Sequence, residues 1–234
     1  MVTFPFSVIL YVFSILSTKI ATTLFGYYVG TLLFSLLIGR VIFKEPIHII
    51  KKLSMGLTFL GLIAYTYPLS VQTFNVGLIL ALIAGFFDSI ANALRKYVAG
   101  KIDRIILVVL QLLGMAMVSL PFVLLTLDKG IPTISPLSWL VGLWFGLMLL
   151  AINYLLLFAF SRFDLNLGTI VLPSELFFAA VLAYFVFGET IKPQELAGAI
   201  LIVFATGLVG LDPSKFNANA KEFLTRYINK FRGV

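Results

Sequence analysis

The 234-residue chain contains no cysteine. Disulfides, iron–sulfur clusters and thiol catalysis are thereby excluded, while the redox compartment stays open. Histidine is nearly absent too: the one imidazole, His48, sits in the polar link KEPIHIIKK, and one histidine does not make a zinc site. No metal, cofactor or catalytic residue is expected. Charge is scarce, at 12% of residues against roughly 25% in soluble domains. The chain lacks a G-x-x-x-x-G-K-[ST] phosphate loop, which argues against ATP-driven work. It also lacks an aromatic–basic platform for nucleic acid.

What is present is apolar surface. Hydrophobic residues make up 61% of the chain, and the mean hydropathy is +1.09. Such a sequence is matched to lipid. A bilayer span needs about 20 mostly apolar residues in a helix, and backbone amides without water leave helices or closed barrels as the choices. Long runs without period-two alternation select helices. The reading is all-α: a polytopic membrane bundle of about eight spans, over residues 4–17, 21–43, 53–68, 76–94, 105–126, 137–160, 166–187 and 195–211. The first run has no preceding positive charge, so it reads as a retained helix rather than a signal peptide. The links are too short to hold a soluble domain.

Basic residues sort by side. With a cytoplasmic amino terminus and eight crossings, fourteen of the 17 lysines and arginines fall on one face. Only Lys19, Lys129 and Lys192 fall on the other. This bias places both termini in the cytoplasm. Residues 213–234 form a basic amphipathic stretch, with Phe216, Phe223, Tyr227 and Phe231 on one helical face, suited to the cytoplasmic leaflet.

The chain also repeats itself at an offset of 144 residues. Phe34 aligns with Phe178, Phe43 with Phe187, Glu45 with Glu189, and Ile47 with Ile191. The order of loop, span, Phe-x-Glu, polar link and span recurs. Five crossings separate equivalent points, so the copies are inverted, the arrangement secondary transporters use to expose one site to either side. The segment SELFFAAVLAYFVFGETIKPQELAGAILIVFATGLVG (174–210) resembles the end of an EamA-type repeat of the drug/metabolite transporter superfamily, with Glu175 fourteen residues before Glu189 and with Gly188-Glu189 and Gly198 in place. GFFDSIANALRK (85–96) is similar to the start of a second such repeat. The resemblance implies ten helices, five per repeat. Here residues 1–70 would supply three helices of an incomplete first repeat and 76–211 five of the second. Two helices would precede Met1. It also implies an integral protein of a prokaryotic cell membrane.

Candidate residues for substrate binding and translocation follow from polarity inside the spans. Asp88 and Glu175 are the two intramembrane acids, a placement costing about 2.5–3.5 kcal/mol on insertion scales. Asp88, Asn92 and Arg95 share a helix face at i, i+4 and i+7. Gln111, Asn153 and Tyr154 interrupt the fifth and sixth spans. Tyr28 and Thr31 lie in the second, Thr31 being the 144-offset mate of Glu175. Each could instead be satisfied by interhelical hydrogen bonds. Glu45 and Glu189 read as caps for the helices that follow them, and Gly198, Gly207 and Gly210 as a packing or dimer seam. The expected function is secondary-active transport of a small organic metabolite by alternating access. The alternative is a non-transporting or partner-dependent membrane subunit. A membrane enzyme is disfavoured, since no loop pairs catalytic carboxylates. Expected partners are the solute, membrane lipid, and a second copy or another chain supplying the missing helices.

Overall fold

The computed structural model describes residues 3–68, 75–99, 101–126, 135–188 and 190–211. Glu189 and the amphipathic stretch 213–234 lie outside the described residues. Among the described residues there is no strand, and nine α-helices follow in order: α1 Thr3–Ser17, α2 Ile20–Val41, α3 Ile49–Thr66, α4 Val76–Val98, α5 Arg104–Thr126, α6 Pro136–Arg162, α7 Leu165–Val171, α8 Glu175–Phe187 and α9 Pro193–Gly210. Among the described residues seven stretches are long and apolar enough to span a bilayer, with α7 and α8 counted as one. The eighth, α1, has 15 residues. At 1.5 Å per residue it reaches about 22 Å, short of the roughly 30 Å hydrocarbon core.

Two boundaries depart from the sequence reading. The seventh span is broken. Leu172–Ser174 form a 3₁₀ turn around Pro173, and Glu175 opens α8. Proline has no amide hydrogen to donate and clashes with the preceding turn, and the carboxylate then lies at a helix amino terminus, where the dipole favours it. The third helix starts at Ile49 rather than near 53 and takes in Lys51. That lysine is 1% exposed; its ammonium donates to Asp164 at 2.5 Å and to the Pro46 carbonyl at 3.1 Å.

Helix packing rests on small residues, as is usual where lipid supplies no hydrophobic drive between helices. α2 lies on α4 through Gly26, Gly30 and Gly85, and a Cβ on Gly85 would stand 2.3 Å from the Tyr27 carbonyl oxygen. α3 crosses α9 at Gly61 and Gly198. There Gly198 meets Tyr65 and Gly61 meets Ile202, so rising numbers on one helix face falling numbers on the other. The pair is antiparallel. α2 meets α7 and α8 in the same sense, Gly39 against Asn166 and Tyr28 against Glu175. In both pairs the partners are mates at the 144 offset. Even their starts correspond: the extended N-cap residues of α3 and α9 are His48 and Lys192. Gly198 therefore packs within the chain, while Gly207 and Gly210 face open space. α1 is pinned to α4 by hydroxyls, Ser7 donating to the Ala84 carbonyl at 2.9 Å and Ser14 to the Gly77 carbonyl at 2.7 Å.

Candidate functional site

Polar side chains buried among apolar helices need partners, and those partners sort the candidates into two groups. The first is centred on α4. The three residues at i, i+4 and i+7 form a chain: the Asn92 amide donates to Asp88 at 2.9 Å, and Arg95 donates to the Asn92 oxygen at 2.5 Å. Arg95 continues to Gln111 of α5 at 3.4 Å and to Asn153 of α6 at 3.2 Å, and Gln111 donates to the same Asn153 oxygen at 2.7 Å. All five are at most 5% exposed. Three helices are thus tied together by four of the sequence candidates plus Arg95.

The second group surrounds Glu175. Tyr28 donates its hydroxyl to Glu175 Oε1. Tyr28 stacks edge-on against Tyr27, and Tyr27 against Tyr11, with ring centroids 5.2 Å apart in each pair. Tyr27 also packs on α4, its carbonyl against Gly85, one helical turn before Asp88. Tyr27 therefore lies near both intramembrane acids. Glu175 itself is exposed beyond its tyrosine contact, whereas its mate Thr31 is 1% exposed, with its hydroxyl on the Tyr27 carbonyl and close to Gly85. Among the described residues no helix stands against Glu175 as α4 stands against Thr31. Thr31 belongs to the α2–α4 crossing and hydrogen-bonds to neither acid. Tyr154 is 41% exposed on the outside of α6 and joins neither group.

A third constellation closes one end of the bundle. Glu45 is 6% exposed. Its Oε1 accepts from Lys96 at 2.6 Å and from the Leu165 amide at 2.7 Å, while Oε2 accepts from the Asn166 amide at 3.1 Å. Glu45 therefore caps α7, about 120 residues away, and not the α3 helix that follows it. Its short link turns the side chain toward the α6–α7 junction, where orphan helix amides and two ammonium groups coincide. Lys51 and Lys96 both lie within ion-pair distance of Asp164. At the opposite end a cavity of about 460 Å³ opens between α2, α3, α4 and α9, lined by Lys19, Thr22, Tyr65, Asn75, Lys192 and Glu195.

The EamA-like transporter family matches residues 75–211, more than half of the chain. The chain belongs to this family. It is an integral membrane transporter of the drug/metabolite transporter type, and the seven apolar helices agree with that placement. No curated protein matches the chain. The segment of EamA likeness runs from Asn75 through α9. It includes Asp88, Asn92, Gln111, Asn153 and Glu175, while Tyr28, which donates to Glu175, comes from α2, outside it. Tyr27 was not among the sequence candidates, because nothing local in the sequence marks a side chain on one helix as the neighbour of acids on two others. Arg95 was left out of the site too, despite its position on the Asp88–Asn92 stripe.

Proposed function

We propose that this EamA-family protein moves a small organic metabolite by alternating access, as a secondary carrier whose path runs between the Asp88 and Glu175 groups. Uncompensated acids at membrane depth are costly and face bundle interiors or watery cavities. The single observation that carries the reading is the pair of intramembrane acids: Glu175 accepts from the Tyr28 hydroxyl and Asp88 from the Asn92 carboxamide, and among the described residues neither acid is in an ion pair. Neutral partners leave a carboxylate free to take up a proton or release it to a solute. The Glu45–Lys96 and Lys51–Asp164 pairs are the contacts that must part for the closed end to open. The fourteen-to-three charge bias supports a cytoplasmic position for that end.

In proteoliposomes, counterflow with amino acids, nucleosides, sugars and short carboxylic acids identifies the solute. With that solute, Glu175→Gln is expected to lower pH-gradient-driven uptake at least about tenfold, within the range that proton-transfer groups contribute. Uptake by Glu175→Gln equal to wild type would remove the carboxylate from the path.

A second reading has its own support. The exposed side of Glu175, opposite to the α4-covered side of Thr31, fits a subunit completed by helices from a second copy or another chain. Light scattering of the purified full chain tests this: a dimer or hetero-complex carrying the counterflow activity favours it, and an active monomer rules it out.

A further inference from the structure

Arg95 is 5% exposed, yet it belongs to none of the four ion pairs among the described residues. Its route to the nearest acid passes through Asn92 to Asp88. Asn92, Gln111 and Asn153 take three of its five N–H groups, and one on each terminal nitrogen remains. The guanidinium lies over the Phe4 ring, 4.6 Å from its centroid. Beside it is a cavity of about 90 Å³, whose walls include Thr3, Leu107, Gln111 and Leu157. The Thr3 hydroxyl is buried at this cavity and has no hydrogen-bond partner. A buried cation with two spare N–H donors and a hydroxyl without a partner border one small cavity; the N–H groups need an acceptor, and the hydroxyl can donate to the same one.

We infer that this cavity is a binding site for a small organic anion, whose carboxylate is taken by the Arg95 fork and the Thr3 hydroxyl and whose short alkyl part lies on Leu107 and Leu157. The planar guanidinium suits a two-oxygen acceptor. The volume is several times the roughly 10–15 Å³ that one water needs in a cavity, room for a chain of a few carbons. The assignment names a solute class for the carrier proposed above and rests on that reading only for its role in transport. Binding stands by itself.

The test uses the full chain in detergent with zwitterionic lipid. Thermal unfolding is followed through the fluorescence of Trp139 and Trp144 during titration with butyrate, butyramide, butylammonium, inorganic phosphate or phosphatidylglycerol. Saturating butyrate is expected to raise the melting temperature by about 4 °C, while butyramide and butylammonium leave it unchanged. Arg95→Gln should lose the shift, Arg95→Lys should keep part of it, and Thr3→Val should weaken butyrate affinity severalfold. Should Arg95→Gln fail to fold, the comparison of butyrate with butyramide on the wild type still decides. Equal shifts with those two overturn the proposal, as does a full butyrate shift in Arg95→Gln. Stabilisation by phosphate or phosphatidylglycerol with none from butyrate overturns it in favour of a phosphate or lipid-headgroup site. Butyrate binding without counterflow of any solute leaves this site standing and contradicts the carrier reading. Counterflow without butyrate binding does the reverse.

Discussion

Gly85→Val is expected to drive α2 off α4 and to lower the melting temperature of the detergent-solubilised chain by about 10 °C or more. A Cβ at this position would lie 2.3 Å from the Tyr27 carbonyl oxygen, 2.6 Å from the Thr31 amide nitrogen and 2.9 Å from the Gly30 carbonyl carbon. All three are backbone atoms, so no rotamer change relieves the contact. Ordinary overpacking costs about 1–3 kcal/mol; moving a helix costs more, and each kcal/mol is worth about 2–4 °C in a chain of this size. Gly56→Val is the control, because a Cβ there meets nothing within 4 Å. Valine is also the better helix former of the two, so this variant should melt at or slightly above the wild-type temperature. A Gly85→Val protein that melts with wild type would mean that α2 and α4 do not cross here. The same crossing positions Tyr27 beside Asp88, so the variant should also lose transport.

Glu45→Gln should be the second most damaging change, at about 3 kcal/mol. Removing one member of a buried pair costs about 3–5 kcal/mol, moderated here because Lys96 is 20% exposed. Gln keeps one acceptor oxygen for three donors: the Lys96 ammonium and the Leu165 and Asn166 amides. The nitrogen that replaces the other oxygen would face a donor. Lys192→Ala provides the contrast. Its ammonium stands 3.7 Å from Glu195 and is 67% exposed, where pairs contribute about 0–1 kcal/mol. Thermal unfolding of the two variants separates a buried inter-helix cap from a solvated surface pair. Equal melting temperatures would contradict the role given to Glu45.

The two residues also show what the sequence could and could not disclose. Span positions were legible because charged and proline-bearing links interrupt long apolar runs, and the 144-residue offset was legible because Glu45 and Glu189 follow matching phenylalanines. The destination of the Glu45 side chain was not. Its partners are about 120 residues away, and helix capping by a remote loop leaves no local pattern. Lys51 misled the boundary of α3 for the same reason, since a lysine reads as interfacial until Asp164 is seen to neutralise it. Pro173 was visible, but a proline can bend a helix or break it, and only the surrounding packing decides. Within the candidate site, the spacing of Asp88, Asn92 and Arg95 placed them on one face. It could not say that Gln111 and Asn153 would meet that face, or that Tyr154, one residue later, would point away from it.

The chain's lack of cysteine allows the most direct test of two oppositely oriented halves. His48 and Lys192 are equivalent at the 144 offset, each is exposed, and each is the N-cap of its helix. Single His48→Cys and Lys192→Cys variants, labelled with a membrane-impermeant maleimide, should differ: Lys192→Cys reacts in intact cells, and His48→Cys reacts only after permeabilisation. Labelling of both from the same side would contradict the inverted arrangement, and with it the alternating-access account.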